Sequence, residues 1–110
     1  MANSATDLRQ GTLDMLILKA LSPEPLHGWG IAQRILEVSK DVLQVNQGSL
    51  YPALHRLERR GLIDSTWAAS DNNRRSKYYR LTRIGRSELT REQQDWERFM
   101  VAVQRVMQSA

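Results

Sequence analysis

The segment Gln47–Ile63 reads QGSLYPALHRLERRGLI and contains, in order, a helix, a helix-stop signal and the start of a strand. Its apolar residues Leu50, Leu54 and Leu57 repeat at i, i+4 and i+7, the spacing of one face of an α-helix. Gly61 follows the last of them and is typical of a helix C-terminus. The segment therefore predicts an amphipathic helix that buries leucines on one side and leaves polar residues on the other.

The start of this helix is marked by Asn46, a residue type that often caps helix N-termini. Pro52 lacks an amide hydrogen and is tolerated near the first turn, so we expect the helix to begin at about residues 47 to 49. The side opposite the leucines carries polar, basic and aromatic residues: Gln47, Ser49, Tyr51, His55, Arg56 and Arg59. Such a helix fits the major groove of B-DNA, which is about 12 Å wide.

Two more helices are predicted on the N-terminal side of this segment. The first spans about Asp7–Leu21, because its apolar residues follow a helical repeat: Leu13, Leu16, Ile17, Ala20 and Leu21. Residues 22–25 (SPEP) end it, since proline lacks the amide hydrogen and disfavours helical geometry before it. After a turn through His27 and Gly28, a second apolar stripe predicts a helix to about Ser39: Ile31, Ile35 and Val38.

The C-terminal side begins with a β-hairpin. Leu62–Ser70 and Lys77–Leu81 contain β-branched and aromatic residues and predict two strands. The connection Asp71–Arg75 (DNNRR) is turn-forming at its start and basic at its end. Asparagine tolerates left-handed backbone geometry, so Asn72 and Asn73 suit a tight turn. The hairpin therefore has a positively charged tip.

The last segment, from about Arg83 to Gln108, predicts a single helix about 39 Å long, because each helical residue adds about 1.5 Å. Large apolar residues recur along it at heptad-like spacing: Leu89, Trp96, Phe99, Met100, Val103, Val106 and Met107. A domain of this size cannot cover so long a stripe, so we expect a second copy of the chain to cover it. We expect the first helix to join the same dimer interface through Leu13, Leu16 and Ile17.

The composition excludes several classes of protein. The chain has 110 residues, 41% apolar and 25% charged, which suits one soluble globular unit. No apolar run is long enough for a membrane span and the N-terminus has no signal-peptide pattern, so we expect a cytoplasmic location. The chain has no cysteine, and its two histidines, without a carboxylate cluster, make a poor metal site. With no catalytic or phosphate-loop motif, we predict neither an enzyme nor a cofactor.

Together these elements predict a mainly α fold with a small β-hairpin (α+β), namely a winged helix-turn-helix with a long C-terminal dimerisation helix. We place a DNA-binding domain at residues 1–81 and the dimerisation helix at residues 82–110. A dimer of this kind would bind double-stranded DNA.

Positive charge is concentrated in the middle of the chain. The net charge is −1 over residues 1–50, +4 over residues 51–80 and +1 over residues 81–110. The hairpin tip contributes Arg74, Arg75 and Lys77, which suit phosphate contacts. Two alternatives remain open at this point. The arginines could be the solvated surface of a protein-interaction module, or the fold could bind RNA, for which Tyr51 is the only good stacking aromatic.

Four stretches of the chain resemble the PadR-like transcriptional regulators. Residues 47–63 are similar to the recognition-helix signature of that family, and KYYRLTRIG at residues 77–85 is similar to its wing strand and the start of its last helix. GTLDMLILKAL at residues 11–21 and HGWGI at residues 27–31 also resemble the family, so the likeness spans nearly the whole chain. The resemblance is to the short branch with one C-terminal helix. It implies a cytoplasmic homodimer that binds a near-palindromic operator in double-stranded DNA and usually represses transcription until an effector arrives.

The resemblance also implies site residues. Those at or near DNA would be Gln47, Ser49, Tyr51, Pro52, His55, Arg56, Arg74, Arg75, Lys77 and Tyr79. Of the paired Tyr78 and Tyr79, one should point inward and the other outward, because strand side chains alternate. Multidrug-sensing members that resemble this chain have a tryptophan at the position of Trp96, which implies a small aromatic ligand against Trp96, Phe99 and Met100. The alternative is that Trp96 only fills the dimer seam. Family wings often have glycine at the tip, where this chain has asparagines.

Overall fold

The computed structural model describes residues 10–69 and 72–110, which form four α-helices and three β-strands. In chain order these are α1 (Gln10–Leu21), β1 (Leu26–His27), α2 (Gly28–Val38), α3 (Gln47–Arg59), β2 (Ile63–Ala69), β3 (Arg75–Leu81) and α4 (Arg83–Gln108). The predicted fold class is confirmed. Residues 7–9 of the predicted first helix, and residues 70 and 71 at the hairpin tip, lie outside the described residues.

The strands form one antiparallel sheet in the order β1-β3-β2. β2 and β3 are the predicted hairpin, in which Ile63 lies opposite Leu81. β1 pairs with the other edge of β3, so that His27 lies opposite Tyr78. The sequence pattern indicates only a turn at β1, because two residues are too few to show strand alternation.

Two tight turns have the left-handed backbone geometry that their residue types favour. Gly61 follows the end of α3 with φ +76°, and Asn73 at the hairpin tip has φ 64°. Glycine has no Cβ to hinder this geometry, and asparagine tolerates it. Asn73 therefore supplies the left-handed residue at the hairpin tip.

The core lies where α1, α2 and α3 pack on one another and on the sheet. Its fully buried large side chains are Ile17, Leu18, Leu21, Ile31, Leu50, Leu54, Leu57 and Ile63. The three leucines of α3 are buried as predicted, which turns the polar side of α3 outward. Within residues 10–69 and 72–110, no helix combines the length and apolar character needed to cross a membrane.

The first two turns of α4 pack into the same core. Thr82 caps α4 by accepting a hydrogen bond from the Gly85 amide at 3.0 Å, and it donates to the Gly61 carbonyl at 2.7 Å. A Cβ on Gly85 would lie 2.0 Å from the carbonyl oxygen of Leu62. The start of α4 is therefore packed directly against the loop between α3 and β2.

Three residues expected in a dimer interface lie instead in the core of the subunit. Leu13 and Ile17 of α1 are 3% and 0% exposed, and Leu89 of α4 is 8% exposed. Leu16 is half-buried. The expectation that Leu13, Ile17 and Leu89 lie in a dimer interface is therefore wrong. Helical periodicity identifies a face that is covered but does not identify the neighbour that covers it.

Candidate nucleic-acid interface

The N-terminal half of α3 presents a polar surface. The Ser49 amide donates a hydrogen bond to Oδ1 of Asn46 at 2.9 Å, so Asn46 is the N-cap, as predicted. Five residues predicted to lie near DNA are exposed on this helix: Gln47, Ser49, Tyr51, Pro52 and His55. Pro52 lies in the second turn, where its missing amide removes one helical hydrogen bond. The surface is therefore accessible from the helix start through its third turn.

Arg56 does not belong to this surface. Its Nη2 donates a hydrogen bond to Oδ1 of Asp14 in α1 at 3.0 Å, and the Asp14 side chain is only 9% exposed. Burial raises the pKa of the Asp14 carboxyl above its ordinary value, and the hydrogen bond and charge of Arg56 oppose that rise. Arg56 thus joins α3 to α1, which corrects the expectation that it contacts DNA. Its partner is 42 residues away, so the helical pattern could not reveal it.

The wing (β2, β3 and the turn between them) carries the three predicted basic residues: Arg74, Arg75 and Lys77. The Arg75 guanidinium lies 5.4 Å from the centroid of the Trp67 ring, and Lys77 Nζ lies 3.7 Å from a carboxylate oxygen of Glu58. Within the part of the chain that the structure describes, Arg75 of β3 has no ion-pair partner, and neither has Arg59 of α3. Positive charge that other side chains do not neutralise therefore lies on both α3 and the wing.

Tyr79 is the inward member of the tyrosine pair. It is 6% exposed, whereas Tyr78 is half-buried. The Tyr78 and His27 rings meet edge to face, with their centroids 5.3 Å apart. Burial raises the pKa of the Tyr79 hydroxyl, and the negative charge of Glu58 raises it further. Strand alternation thus turns Tyr79 inward, but the residue also lines the cleft between α3 and the wing, so its contact with DNA stays a prediction.

A cleft of about 820 Å³ separates α3 from the wing. Its walls come from β1, α2, α3 and both wing strands: His27, Gly28, Trp29, Tyr51, Trp67, Asn72, Arg74, Ser76, Lys77 and Tyr79. Trp29 and Trp67 are 65% and 59% exposed. A Cβ on Gly28 would lie 2.7 Å from the Tyr51 hydroxyl oxygen, so the absence of a side chain there makes room for Tyr51. The cleft combines basic groups, hydroxyl donors and exposed aromatic rings.

His27, Trp29 and Trp67 line this cleft but are not among the residues predicted to contact DNA. The signal for the first two was present, since both lie in the HGWGI stretch at residues 27–31. For Trp67 the signal was a large aromatic residue in a strand whose exposed face adjoins the basic tip. Only β1 and the hairpin, once folded, bring these residues to the side of Tyr51.

The distal part of α4 carries an apolar stripe that its own subunit leaves exposed. We call it the seam; it consists of Trp96, Phe99, Met100, Val103, Val106 and Met107. The rings of Trp96 and Phe99 lie 5.8 Å apart by centroid distance. Both rings line a shallow pocket of about 370 Å³ between α1 and α4, whereas Met100 is not among its lining residues. The stripe is thus uncovered, as predicted.

Two glutamates lie where α4 leaves the core. The carboxylate of Glu88 accepts a hydrogen bond from Arg91 and lies 3.6 Å from Nη2 of Arg60, the C-cap residue of α3. A further hydrogen bond joins Glu88 to Glu92, which lies in the pocket beside Trp96. Burial and the neighbouring Glu88 raise the pKa of Glu92 to about 7, while that hydrogen bond and Arg91 lower the pKa of Glu88.

Replacing Glu92 by glutamine is expected to raise the melting temperature at pH 8 and to change it much less at pH 5. The folded chain retains the Glu92 proton up to about pH 7, whereas the unfolded chain loses it near the ordinary value of 4.5. Stability from this group is therefore present at low pH and is lost as the pH rises through about 7. Thermal unfolding at both pH values measures the effect. Glu97→Gln, on the exposed side of α4, is the control, and an equal shift at both pH values would contradict the prediction.

The sequence model of the Transcriptional regulator PadR-like family matches residues 17–91. The chain belongs to this family. It is therefore a transcriptional regulator and not an enzyme. Among the described residues, no group of three or more histidines, aspartates or glutamates is arranged to hold a metal ion.

Relatives of this PadR-like regulator agree with the assignment. It is 33% identical over 91 residues to Transcriptional regulator Rv3488 of Mycobacterium tuberculosis, covering 83% of this chain and 81% of that protein. A PadR-like transcriptional regulator of Bacillus cereus superposes with a TM-score of 0.78 at 29% identity, over 92% of this chain and 96% of that one. A PadR family regulator of Clostridium difficile gives a TM-score of 0.72 at 32% identity, over 88% and 98% of the two chains.

Proposed function

We propose that this PadR-like regulator is a homodimeric repressor that binds a near-palindromic sequence in double-stranded DNA. The observation that supports this most strongly is that α3 and the basic wing border one cleft, with the polar side of α3 exposed beside it. A helix of this kind fits the major groove, and a basic hairpin beside it suits the adjacent phosphates or minor groove. Bound at an operator, the dimer would obstruct transcription.

The contacts we propose follow from where the side chains lie. Those of α3 would face base edges: Gln47, Ser49, Tyr51, Pro52 and His55. Arg74, Arg75 and Lys77 would contact phosphates, which position the protein without specifying sequence. Arg56 would not contact DNA, because its guanidinium is paired with the Asp14 carboxylate.

The dimer we propose forms through the seam of each copy, whereas the half-buried Leu16 of α1 lines a pocket with residues of α2. A long helix with an exposed apolar stripe is stabilised when a second helix covers the stripe. Because a twofold dimer pairs the same surface on both copies, it presents two equivalent α3 helices and requires a near-palindromic site. In this proposal residues 1–81 and the first turns of α4 bind DNA, and the rest of α4 holds the copies together.

Selection of bound fragments from genomic DNA with the purified protein tests the proposal directly. We expect the recovered fragments to share inverted half-sites about one helical turn apart, as a dimer of winged helices requires. Fragments without a shared motif would exclude sequence-specific recognition.

Replacing Arg75 by alanine is expected to weaken binding by a similar factor on operator and non-operator duplexes. A phosphate contact releases a condensed counterion, so its loss should reduce the slope of log affinity against log salt by about 0.9 per subunit. Fluorescence anisotropy titrations between about 50 and 200 mM salt measure both quantities. Arg83→Ala, at the exposed start of α4, is the control. An unchanged slope for Arg75→Ala would show that this side chain does not contact phosphate.

A small aromatic effector would bind in the seam, against Trp96 and Phe99, with Met100 close by on the same stripe. Both rings already line one pocket, and Asp95 in its wall favours a cationic ligand, joined by Glu92 once the pH exceeds its raised pKa of about 7. In a variant that retains Trp96 as its single tryptophan, we expect a planar cationic dye such as ethidium to quench the fluorescence. A variant that retains only Trp67 is the control. Absence of quenching at Trp96 would leave it a residue that only fills the seam.

One observation favours single-stranded RNA as a second candidate ligand. Trp29 and Trp67 are exposed beside Tyr51, and exposed aromatic rings are the groups on which unpaired bases stack. Competition between a selected duplex and single-stranded RNA decides between the two. Displacement of the duplex by RNA at equal concentration would favour the RNA candidate.

A further inference from the structure

His27 is a polar residue of the cleft to which the proposed contacts assign no role. Its ring is half-buried, with ring centroids 6.2 Å from Trp29 and 5.3 Å from Tyr78. It lines the cleft together with Tyr51 of α3 and Lys77 of the wing. Three different parts of the fold, β1, α3 and β3, thus each contribute a hydrogen-bonding side chain to one cavity.

The hydrogen bond at the start of α2 determines which nitrogen of His27 carries the proton. The Gly30 amide donates to Nδ1 at 3.0 Å, and His27 is thereby the N-cap of α2. A ring nitrogen that accepts a hydrogen bond carries no proton, so in the neutral ring the proton is on Nε2. The Nδ1 edge of the ring also faces Gly30, since a Cβ there would lie 3.4 Å from Nδ1 and from Cε1. Nε2 is therefore a hydrogen-bond donor on the opposite edge of the ring.

We propose that the Nε2 hydrogen of His27 donates to a phosphate oxygen of the DNA strand that occupies the cleft between α3 and the wing. The inference rests on the proposed function and adds to it a positioning contact from β1. The Tyr51 hydroxyl and the Lys77 ammonium are the other donors suited to the same strand.

The chemistry of the walls favours a sugar–phosphate strand as the occupant. The described polar side chains of the walls are hydrogen-bond donors or cations and include no carboxylate, and Glu58, which lies beside Lys77, is already paired with it. The exposed rings of Trp29 and Trp67 provide apolar surface for the deoxyribose faces between phosphates. Protein–DNA hydrogen bonds go mostly to phosphate and sugar, which agrees with an occupant held by its backbone.

His27→Asn separates the contact with DNA from the cap of α2. Asparagine is a strong N-cap, and Asn46 shows in this chain that its Oδ1 accepts from the third helical amide at 2.9 Å. The shorter side chain removes the donor from the cleft. We expect an unchanged melting temperature and binding that is weaker by about tenfold per half-site, the loss typical of one hydrogen bond to a charged group, and so by about a hundredfold for the dimer on the duplexes recovered by genomic selection. Because a neutral donor displaces no counterion, the salt slope should not change, in contrast to Arg75→Ala.

Ethylation interference locates the contact on DNA. Ethylation of one phosphate in each half-site should weaken binding of the natural protein and leave binding of the His27→Asn variant unaffected. Equal affinity of the two proteins, or identical interference patterns, would overturn the inference. Should asparagine lower the melting temperature, His27→Ser, another N-cap residue, is judged by the same criteria. If the natural protein prefers no duplex, the proposed function fails first, a result distinct from failure of this contact.

Discussion

Replacing Val103 by aspartate is expected to convert the protein into a folded monomer that binds its operator weakly. Val103 lies in the middle of the seam and is 40% exposed in the single subunit, so its change leaves the core intact. In a twofold dimer the substitution places two carboxylates in one apolar interface. An unpaired buried charge is strongly destabilising, and two of them should raise the dissociation constant of the dimer at least about a thousandfold. Analytical ultracentrifugation over a concentration series measures this directly.

Val101→Asp is the matched control for this experiment. Val101 is also an exposed valine of α4, 46% exposed, but it lies two residues away and hence on the opposite side of the helix. Its neighbours on that side are polar, among them Glu97, Arg98 and Arg105. We expect this variant to remain a dimer and to bind DNA normally. A Val103→Asp protein that is still dimeric at micromolar concentration would show that the seam is not the interface.

Replacing Gly85 by alanine is expected to destabilise the fold by about 3 kcal/mol, at the upper end of the range for overpacked sites. The new Cβ would lie 2.0 Å from the Leu62 carbonyl oxygen and 2.7 Å from a methyl group of Leu81. The Leu62 carbonyl cannot move away easily, because it accepts a hydrogen bond from the Thr82 amide at 3.1 Å. The start of α4 would have to shift away from the loop between α3 and β2.

Chemical denaturation at one fixed protein concentration measures this loss, since association also contributes to apparent stability. Gly11→Ala is the matched control. Gly11 lies in the first turn of α1, and a Cβ there meets no atom within 4 Å. Alanine favours helix over glycine, so the control should be as stable as the natural protein or slightly more stable. If Gly85→Ala unfolded at the same denaturant concentration as Gly11→Ala, the close approach at residue 85 would be less rigid than the structure shows.

α3 is also held in place by side-chain contacts with two neighbouring helices. Two ion pairs, Arg56 with Asp14 and Arg60 with Glu88, join it to α1 and α4. Both partners of α3 in these pairs belong to helices that lead to or border the seam. The two ion pairs that help to orient α3 are therefore made to α1 and α4, the same helices that border or carry the seam.

The sequence by itself determined the elements with strong local signals. The leucine repeat, Asn46 and Gly61 located α3, and the uninterrupted pattern from Arg83 to Gln108 located α4 with its observed bounds. Strand composition around the polar turn identified the hairpin. These features depend on residues within a few positions of one another, so local pattern is enough to predict them.

Tertiary structure alone decided which neighbour each side chain meets. Periodicity showed that Leu89 and Val103 lie on an apolar face, but only packing separated the covered Leu89 from the exposed Val103. From its position in the helical pattern, Arg56 would be expected to lie on the exposed side of α3. It is instead hydrogen-bonded to Asp14, which packing of α1 places beside it. β1 exists because β3 offers it an edge, and His27 reaches the cleft for that reason. Such contacts join residues far apart in the chain, and their energies depend on distances that no local pattern contains.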